Sequence, residues 1–324
     1  MSKPHSNDTS PSRVDIERAA RTIEPFAHRT PVLTCRSLDE MTGGKLFFKC
    51  ENFQKVGAFK FRGAVNSVFS LPLSAAARGV VTHSSGNHAQ AVALAARLRG
   101  IPATIVMPET APRVKIDAVR GYGGRIVFCA PTQAAREENT SQVIAESGAE
   151  FIHPYNDSRV IAGQATCARE ILGEVPNLDL ILTPVGGGGL TSGTALAAHY
   201  LSPRTRVIAA EPEGADDARR SFVSGRLLSS ENPKTIADGL LTSLGELTFA
   251  IIRGYVHDVL TVSEAAIVSA LRHVYERMKI VIEPSAAVPF GLLLENKLSA
   301  EGRRVGIILS GGNVDLTRLP WRSS

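Results

Sequence analysis

The chain has 324 residues, of which 44% are hydrophobic and 21% are charged, with a formal net charge of +5 at pH 7. This length and composition are typical of a globular protein with one large or two moderate domains around a sizeable core. The basic residues are scattered and form no stripe with aromatic residues, which argues against a nucleic-acid partner. No apolar stretch reaches the length of a membrane span, so we expect no membrane partner either.

The predicted elements alternate along the chain. Short β-branched runs predict strands at KLFFKC, GVVTH, ATIVM, GRIVF, LDLILTPV, TRVIAAE and RVGIILS. Helical patterns lie between them at NHAQAVALAARLRG, TQAAREENTSQVIAESGA, RVIAGQATCAREIL and LTSGTALAAHYL. Strands that alternate with helices predict an α/β protein with largely parallel sheets. The nearly continuous apolar run LILTPV predicts a strand that is buried on both faces.

The cysteines and the N-terminal segment bear on the cellular compartment. The four cysteines lack the CxxC or CxxH spacing of a metal site: Cys35, Cys50, Cys129 and Cys167. The polar N-terminal segment MSKPHSNDTSPS has no apolar run of the kind that export requires. Free thiols in a chain without an export signal predict a cytoplasmic location.

The strongest motif is TPVGGGGLTSGTALA, from Thr183 to Ala197. Four successive glycines let backbone N–H groups gather around one small anion, and the helix that follows adds a favourable dipole. A merely flexible loop is the alternative, but such loops rarely join a fully apolar strand directly to a helix. The turn matches neither GxGxxG nor GxxxxGKS/T, which argues against a dinucleotide or a nucleoside triphosphate. We therefore predict a site for a phosphate monoester.

Two further turns have the same layout. Ser84-Ser85-Gly86-Asn87-His88 follows an apolar strand and opens a helix, so its hydroxyl, amide and backbone donors suit a carboxylate. Ser310-Gly311-Gly312-Asn313 ends another apolar strand. Capping and turn chemistry explain any one of these turns alone. Three such turns at the carboxyl ends of strands instead predict a ligand site.

Lys60 lies between Phe59 and Phe61, shortly after Gly57. In the ordinary interpretation, its side chain extends to solvent from a helix start while its neighbours belong to the core. In the functional interpretation, a desolvated amine has a lowered pKa and attacks a carbonyl group. A phosphate site, a carboxylate site and an activated lysine together predict pyridoxal 5'-phosphate (PLP) chemistry on an amino acid.

The order of these motifs resembles that of the fold-type II PLP enzymes. The motifs are GAFKFRGA, SSGNHAQA, VGGGGL, AAEPEGADD, IADGL, IEPSAA and LSGGNVDL. The resemblance runs from about Val14 to Leu319, and it is to the group that contains the serine racemases and the short serine/threonine and 3-hydroxyaspartate dehydratases. It implies an α/β fold of the tryptophan synthase β type, with two open, twisted, parallel-type sheets, flanking helices, and the cofactor in the cleft between them.

The resemblance also implies a set of cofactor contacts. Lys60 resembles the lysine that forms the Schiff base, Phe59 the residue packed on the pyridine ring, and Asn87 the amide that bonds the 3'-oxygen. Ser310 resembles the hydroxyl partner of the pyridine nitrogen. The other implied cofactor-binding residues lie in two glycine motifs: Gly186, Gly187, Gly188, Gly189, Leu190 and Gly239.

Substrate and metal contacts follow from the same resemblance. Ser85 resembles a second catalytic hydroxyl that acts as acid and base on the face opposite Lys60. The implied substrate contacts are Ser84, Ser85, Gly86, Asn87, His88 and Arg136. The stretch AEPEGADD resembles a divalent-cation site with Glu211, the Ala215 carbonyl and Asp217 as ligands, although such a stretch alone is more often a surface turn. Oxygen ligands suit Mg²⁺, Ca²⁺ or Mn²⁺.

Several activities are compatible with these residues. A neutral hydroxyl at the pyridine nitrogen does not hold that nitrogen protonated, which favours loss of a β-hydroxyl group as the α-proton departs. We therefore predict an ammonia-lyase that converts L-serine or L-threonine to a 2-keto acid and ammonia. Reprotonation by Ser85 would instead make a serine racemase, and Arg136, if it faces the site, would favour threo-3-hydroxyaspartate. Two further hypotheses are a β-replacing synthase that uses sulfide and a binding module without catalytic activity.

The resemblance finally bears on organisation. It implies a large PLP-binding domain from residues 1–77 and 156–324, and a small domain, residues 78–155, that closes over the substrate. It also implies a homodimer. A nucleotide-effector site is matched only in part, so the resemblance neither assigns nor excludes ATP as an effector. The matching residues are Glu17, Lys55, Gln90, Tyr122 and Asn313, and the differing ones are Cys35, Arg36, Ser37 and Val56.

Overall fold

The computed structural model describes residues 9–111 and 113–321, which form two α/β domains, each with its own sheet. The strands, in chain order, are β1 (Val32–Leu33), β2 (Lys45–Cys50), β3 (Val80–His83), β4 (Ala103–Pro108), β5 (Arg125–Cys129), β6 (Glu150–Phe151), β7 (Leu180–Pro184), β8 (Arg206–Pro212), β9 (Asp258–Val262) and β10 (Arg304–Leu309). The helices are α1 (Arg13–Ile23), α2 (Arg36–Thr42), α3 (Lys60–Phe69), α4 (Leu73–Ala76), α5 (Asn87–Arg99), α6 (Arg113–Gly121), α7 (Gln133–Ser147), α8 (Ser158–Glu174), α9 (Gly189–Leu201), α10 (Asp217–Ser224), α11 (Glu246–Tyr255), α12 (Glu264–His273) and α13 (Pro284–Leu294).

The two sheets are almost entirely parallel. The larger one has the strand order β1-β2-β10-β7-β8-β9, in which β1 is antiparallel to β2 and every other neighbouring pair is parallel. The smaller one has the order β5-β4-β3-β6 and is parallel throughout. All strands of the smaller sheet lie between Val80 and Phe151. The predicted fold class is therefore confirmed.

Every strand predicted from a β-branched run is present, and so is every predicted helix. All five residues of β7 are buried, as the apolar run LILTPV predicted. The first eight residues of the polar N-terminal segment lie outside the described residues. Among the residues that are described, none of the helices combines the length and the apolar character that crossing a bilayer requires.

Glycines bring three helices of the large domain into close contact. A Cβ atom added to Gly163 on α8 would lie 2.6 Å from the Cα of Gly63 and 2.7 Å from the carbonyl oxygen of Arg62, both on α3. A Cβ atom added to Gly193 on α9 would lie 2.6 Å from the amide nitrogen of Ala165 on α8. These helices approach at backbone distance only because the three positions have no side chain. The position of α3 is therefore fixed by α8.

A buried ionic cluster reinforces this arrangement. The Arg62 guanidinium donates from Nε to Glu51 at 2.7 Å and from Nη1 to Glu170 at 2.6 Å. Lys49 donates to the other Glu170 oxygen at 2.6 Å. Burial alone raises the pKa of the Glu51 carboxyl, but the charge and hydrogen bonds of Arg62 hold that pKa below its usual value. The cluster joins β2, α3 and α8, and its central residue, Arg62, is two residues after Lys60.

We expect Gly163→Ala to destabilise the fold by roughly 1–3 kcal/mol, because the new methyl group would press on the backbone of α3. Gly173→Ala on the same helix is the matched control, since a Cβ atom there meets no atom of the described residues within 4 Å. That control should be neutral or slightly stabilising because alanine favours a helix over glycine. The midpoint of thermal unfolding of the two variants measures the difference. Equal midpoints would contradict the close approach of α3 and α8.

Candidate active site

Three turns meet where strands of both sheets end. The first follows β7 and contains the four glycines from Gly186 to Gly189, the second follows β3 and leads into α5, and the third follows β10. The carboxyl ends of parallel strands, next to helix N-termini, are where α/β proteins bind ligands. The three turns predicted from sequence therefore lie at the edge where a ligand is expected.

Lys60 is held beside the turn that follows β10. Phe59 donates its backbone N–H to the Ser310 carbonyl at 3.0 Å, and Gly312 donates to the Gly57 carbonyl at 2.9 Å. Ala58 and Gly311 form a β-bridge between these two bonds. Because the segment before Lys60 is paired residue by residue with this turn, the first residue of α3 lies next to Ser310.

The amine of Lys60 is turned into the cleft. Its Nζ donates to the Pro154 carbonyl at 2.8 Å and lies 5.2 Å from the centre of the Phe59 ring. Burial lowers the pKa of Lys60 to about 8, and the negative charge of Glu283 opposes this shift. The solvated orientation of an ordinary surface lysine is thus not what the structure shows. With this pKa, roughly a tenth of the amine is neutral and nucleophilic at pH 7, far more than in an ordinary lysine.

The glycine turn is lined closely by neighbouring residues. Gly188 has a φ of +88°, in the left-handed region, and it caps α9. A Cβ atom at Gly187 would lie 2.2 Å from the Tyr155 ring, and one at Gly186 would lie 3.3 Å from the Gly239 carbonyl oxygen. The first N–H groups of a helix such as α9 have no partner within the helix, so they are available to an anion. The turn thus offers backbone donors in a space too small for side chains.

The turn after β3, residues 84–88, is called the serine-rich turn below. It contacts the large domain through Asn87. The side-chain Nδ2 of Asn87 donates to both carboxylate oxygens of Glu283 at 3.0 and 3.1 Å, and its Oδ1 accepts from Asn313 at 2.8 Å. His88 is buried with its Nε2 3.1 Å from the Ile152 carbonyl oxygen, and burial lowers its pKa well below the usual value. The structure therefore brings Asn87, Lys60 and Ser310 into one cleft.

Glu283 is a site residue that sequence reasoning missed. It lies in the motif IEPSAA, directly before Pro284 and α13, but no role was assigned to it. Burial raises its pKa to about 7, and the hydrogen bond from Asn87 opposes this shift. The available signal was an acidic residue immediately before the first residue of a very apolar helix.

Arg136 on α7 lies close to the serine-rich turn. Its Nε is buried and has no hydrogen-bond partner among the described residues. Burial lowers the pKa of His83, and the positive charge of Arg136 lowers it further. His83 directly precedes Ser84, whose Oγ accepts from the Gly86 N–H at 3.2 Å. The Arg136 guanidinium is thus near the turn where a substrate carboxylate is expected.

The expected cation ligands lie at the end of β8. Glu211 is fully buried and accepts from the N–H groups of Ala218 and Arg219 at 2.9 and 2.8 Å. Asp217 is buried too, and its two carboxylate oxygens have no hydrogen-bond partner within residues 9–111 and 113–321. Burial raises the pKa of Glu211 to about 9 and that of Asp217 to about 6. A bound cation would offset the free-energy cost of burying these two carboxylates.

The expected donor set at this place consists of two carboxylates and one backbone carbonyl. In the part of the chain that the structure describes, no group of three or more His, Cys, Asp or Glu side chains could hold a metal ion. Two carboxylates and the Ala215 carbonyl suit a hard cation that keeps several water ligands. The residues therefore fit Mg²⁺, Ca²⁺ or Mn²⁺ better than zinc.

The chain is similar to known proteins over nearly its whole length. It is 53% identical over 311 residues to a β-hydroxyaspartate dehydratase of Paracoccus denitrificans, covering 96% of this chain and 99% of that protein. It is 50% identical over 315 residues to a serine racemase of Arabidopsis thaliana, covering 96% and 95% of the two chains. The solved structure of a serine racemase from Dictyostelium discoideum matches with a TM-score of 0.92 and 48% identity, covering 95% of this chain and 100% of that one.

The match to a protein family extends from the end of α1 to the turn after β10. The family model, described as "Pyridoxal-phosphate dependent enzyme", matches residues 23–311 and so includes the lysine, the glycine turn and the serine-rich turn. The chain therefore belongs to the family of pyridoxal-phosphate dependent enzymes.

Proposed function

We propose that this enzyme is an ammonia-lyase that removes the β-hydroxyl group of 3-hydroxyaspartate, releasing oxaloacetate and ammonia. The observation that carries this choice is the buried Nε of Arg136 near the serine-rich turn, which has no hydrogen-bond partner within residues 9–111 and 113–321. We assign the α-carboxylate, which all three substrates have, to the hydroxyl and backbone donors of the turn itself, so Arg136 beside it is left for a second carboxylate. 3-Hydroxyaspartate has that group, whereas L-serine and L-threonine do not. The 53% identity to a β-hydroxyaspartate dehydratase supports the same substrate.

The residues of the cleft fit PLP. The glycine turn, with Leu190, would hold the phosphate, Asn87 the 3'-oxygen, Ser310 the ring nitrogen and Phe59 one face of the ring. The crowding that added Cβ atoms would meet at Gly186 and Gly187 supports this assignment, because it leaves backbone groups as the turn's donors. Bound PLP supplies an electron sink for the electron pair at the substrate α-carbon.

The side chains divide the proton transfers between them. Lys60, whose pKa of about 8 leaves a neutral amine available, takes the proton from the substrate α-carbon. Ser84, Gly86 and the start of α5 orient the α-carboxylate. The neutral hydroxyl of Ser310 does not hold the ring nitrogen protonated, which favours departure of the β-hydroxyl group as water, with the proton that Lys60 took from the α-carbon. One water then hydrolyses the dehydrated product to oxaloacetate and ammonia. Ser85 would return a proton to the opposite face of the α-carbon, and frequent return would make the enzyme a serine racemase.

We also propose that this chain has the two-domain organisation that the family resemblance implies. We place the large domain at residues 1–77 and 156–324 and the small domain, which closes over the substrate, at residues 78–155. The four-stranded sheet between Val80 and Phe151 supports this division. We also propose a homodimer, which sedimentation of the purified protein would test.

The first test is the release of keto acid by the PLP-loaded protein from L-threo-3-hydroxyaspartate, L-serine and L-threonine. We expect oxaloacetate from 3-hydroxyaspartate to form fastest, and Lys60→Ala to abolish both the activity and the violet absorbance band of lysine-linked PLP. Fastest keto-acid release from L-serine or L-threonine would contradict the substrate. Formation of D-serine with little keto acid would instead identify a racemase.

Arg136→Met should lower kcat/KM for 3-hydroxyaspartate by about 10–100-fold, because one charge-assisted contact to a carboxylate is lost. We expect kcat/KM for L-serine to change little, since serine makes no use of that contact. Arg120→Met is the matched control, because Arg120 has a largely exposed side chain on the neighbouring helix α6. Parallel losses for both substrates would show that Arg136 supports the fold rather than the second carboxylate.

We further propose a divalent cation bound by Glu211, the Ala215 carbonyl and Asp217. Mg²⁺ at about 100 times its Kd should stabilise the folded protein by about 2.7 kcal/mol, and EDTA should reverse this gain. Asp217→Asn should abolish the response of the thermal midpoint to Mg²⁺. Asp216→Asn should leave it intact, because Asp216 is partly exposed and pairs with Arg220. An equal response in both variants would place the cation elsewhere.

A further inference from the structure

A chain of hydrogen bonds fixes the orientation of the Asn87 amide. The Val56 carbonyl accepts from Nδ2 of Asn313 at 2.7 Å, and the same Nδ2 donates to Oδ1 of Asn87 at 2.8 Å. Nδ2 of Asn87 then donates to Glu283. A backbone carbonyl and a carboxylate can only accept, so the two ends of the chain determine the direction of both amides. Asn87 therefore presents its NH₂ group, not its oxygen, on the Glu283 side.

The bonds of Asn87 join the two domains. Asn87 begins α5, which follows the first strand of the four-stranded sheet, whereas Glu283 precedes α13 and Asn313 follows β10 of the six-stranded sheet. An ion pair crosses the same boundary, since Lys115 on α6 donates to Asp238 at 2.9 Å. Glu283 is only 5% exposed, and a Cβ atom at Gly311 would lie 2.7 Å from its Oε1. Its carboxylate is therefore confined where the domains meet.

The charges around Glu283 affect the pKa of its carboxyl group, and its ionisation state in turn affects Asn87 and Lys60. Burial raises its pKa to about 7, the hydrogen bond from Asn87 lowers it, Asp238 raises it and Lys115 lowers it. The carboxylate in turn raises the pKa of Lys60. Ionised Glu283 accepts from Asn87 with both oxygens and attracts the Lys60 ammonium group. A protonated carboxyl group loses one acceptor and this attraction.

We propose that Glu283 is a positioning residue that holds the Asn87 amide toward the cofactor and joins the small domain to the large one. The inference rests on the proposed contact between Asn87 and PLP. The two carboxylate oxygens of Glu283 lie too close together to take separate N–H groups of Asn87, so they share one of them. The other N–H is left to donate to the 3'-oxygen of the ring. Without the carboxylate, Asn87 is free to rotate and α5 loses its contact with the start of α13.

The experiment follows PLP uptake by the apoprotein through absorbance, between pH 6 and pH 9. We expect Glu283→Gln to weaken PLP binding by about tenfold, since a charge-assisted hydrogen bond is lost. We also expect the pH midpoint of the uptake rate to move to lower pH, because Lys60 loses the negative charge of Glu283, which raises its pKa. Glu283→Asp keeps the charge but not the reach, so it should weaken binding and leave the midpoint unchanged.

Glu295→Gln is the matched control. Glu295 accepts from the backbone N–H of Ser263 and pairs with Lys297 in the large domain, so both readouts should stay those of the parent protein. Binding within twofold of the parent protein in Glu283→Gln, with the same midpoint, would overturn the proposal. If that variant does not fold, parent-like binding by Glu283→Asp overturns it equally. Unchanged PLP binding in Asn87→Ala would instead contradict the proposed contact between Asn87 and PLP, on which the inference rests.

Discussion

The ionic cluster around Arg62 is the constraint on which the site depends. Arg62 is fully buried and bonds to Glu51 and Glu170, while Lys49 shares Glu170. Two positive and two negative charges thus balance in a region that is largely buried. Such a cluster adds little net stability compared with a well-packed apolar core, but removal of one member leaves an unpaired buried charge. Its contribution is therefore geometric, since it ties β2, α3 and α8 together at one point.

Two cations on the first turn of α3 show opposite electrostatic environments. Arg62 has two carboxylates in direct contact, which raise its pKa well above the usual value against the effect of burial. Lys60, two residues earlier, donates to the neutral Pro154 carbonyl, and its pKa falls to about 8. Burial acts on both side chains, and only the placement of the carboxylates separates them. The helix thereby holds one permanent charge for structure and one amine that can lose its proton.

Much of the fold and part of the site followed from sequence because they depend on local patterns. The structure of the β-branched runs and of the glycine turn depends on a few neighbouring residues, as the fully buried β7 shows. The strands β1 and β6 have only two residues each, too few for any periodicity, and β9 is only partly buried. The family resemblance, and not any pattern, suggested the roles of Asn87 and Ser310.

The remaining parts of the site depend on contacts between distant positions. Asn87 and Glu283 are 196 residues apart, and Lys60 and Pro154 are 94 apart. Neither pairing leaves a periodic or compositional trace, because each arises from the way two sheets meet. Glu283 in particular lies in a stretch whose apolar helix dominates the pattern. The carboxylate that raises the pKa of Lys60 could therefore be identified only from the structure.

The segment that returns from the four-stranded sheet forms a wall of the cleft. The Pro154 carbonyl accepts from Lys60, and the Tyr155 ring packs on Gly187. Asn156 accepts from the Leu247 N–H at the start of α11, and Asp157 caps α8. Four consecutive residues are thus bound to the large domain. Because Pro154 and Tyr155 already contact the large domain, we place the pivot of the proposed closure before Pro154, two residues inside the small-domain boundary at residue 155.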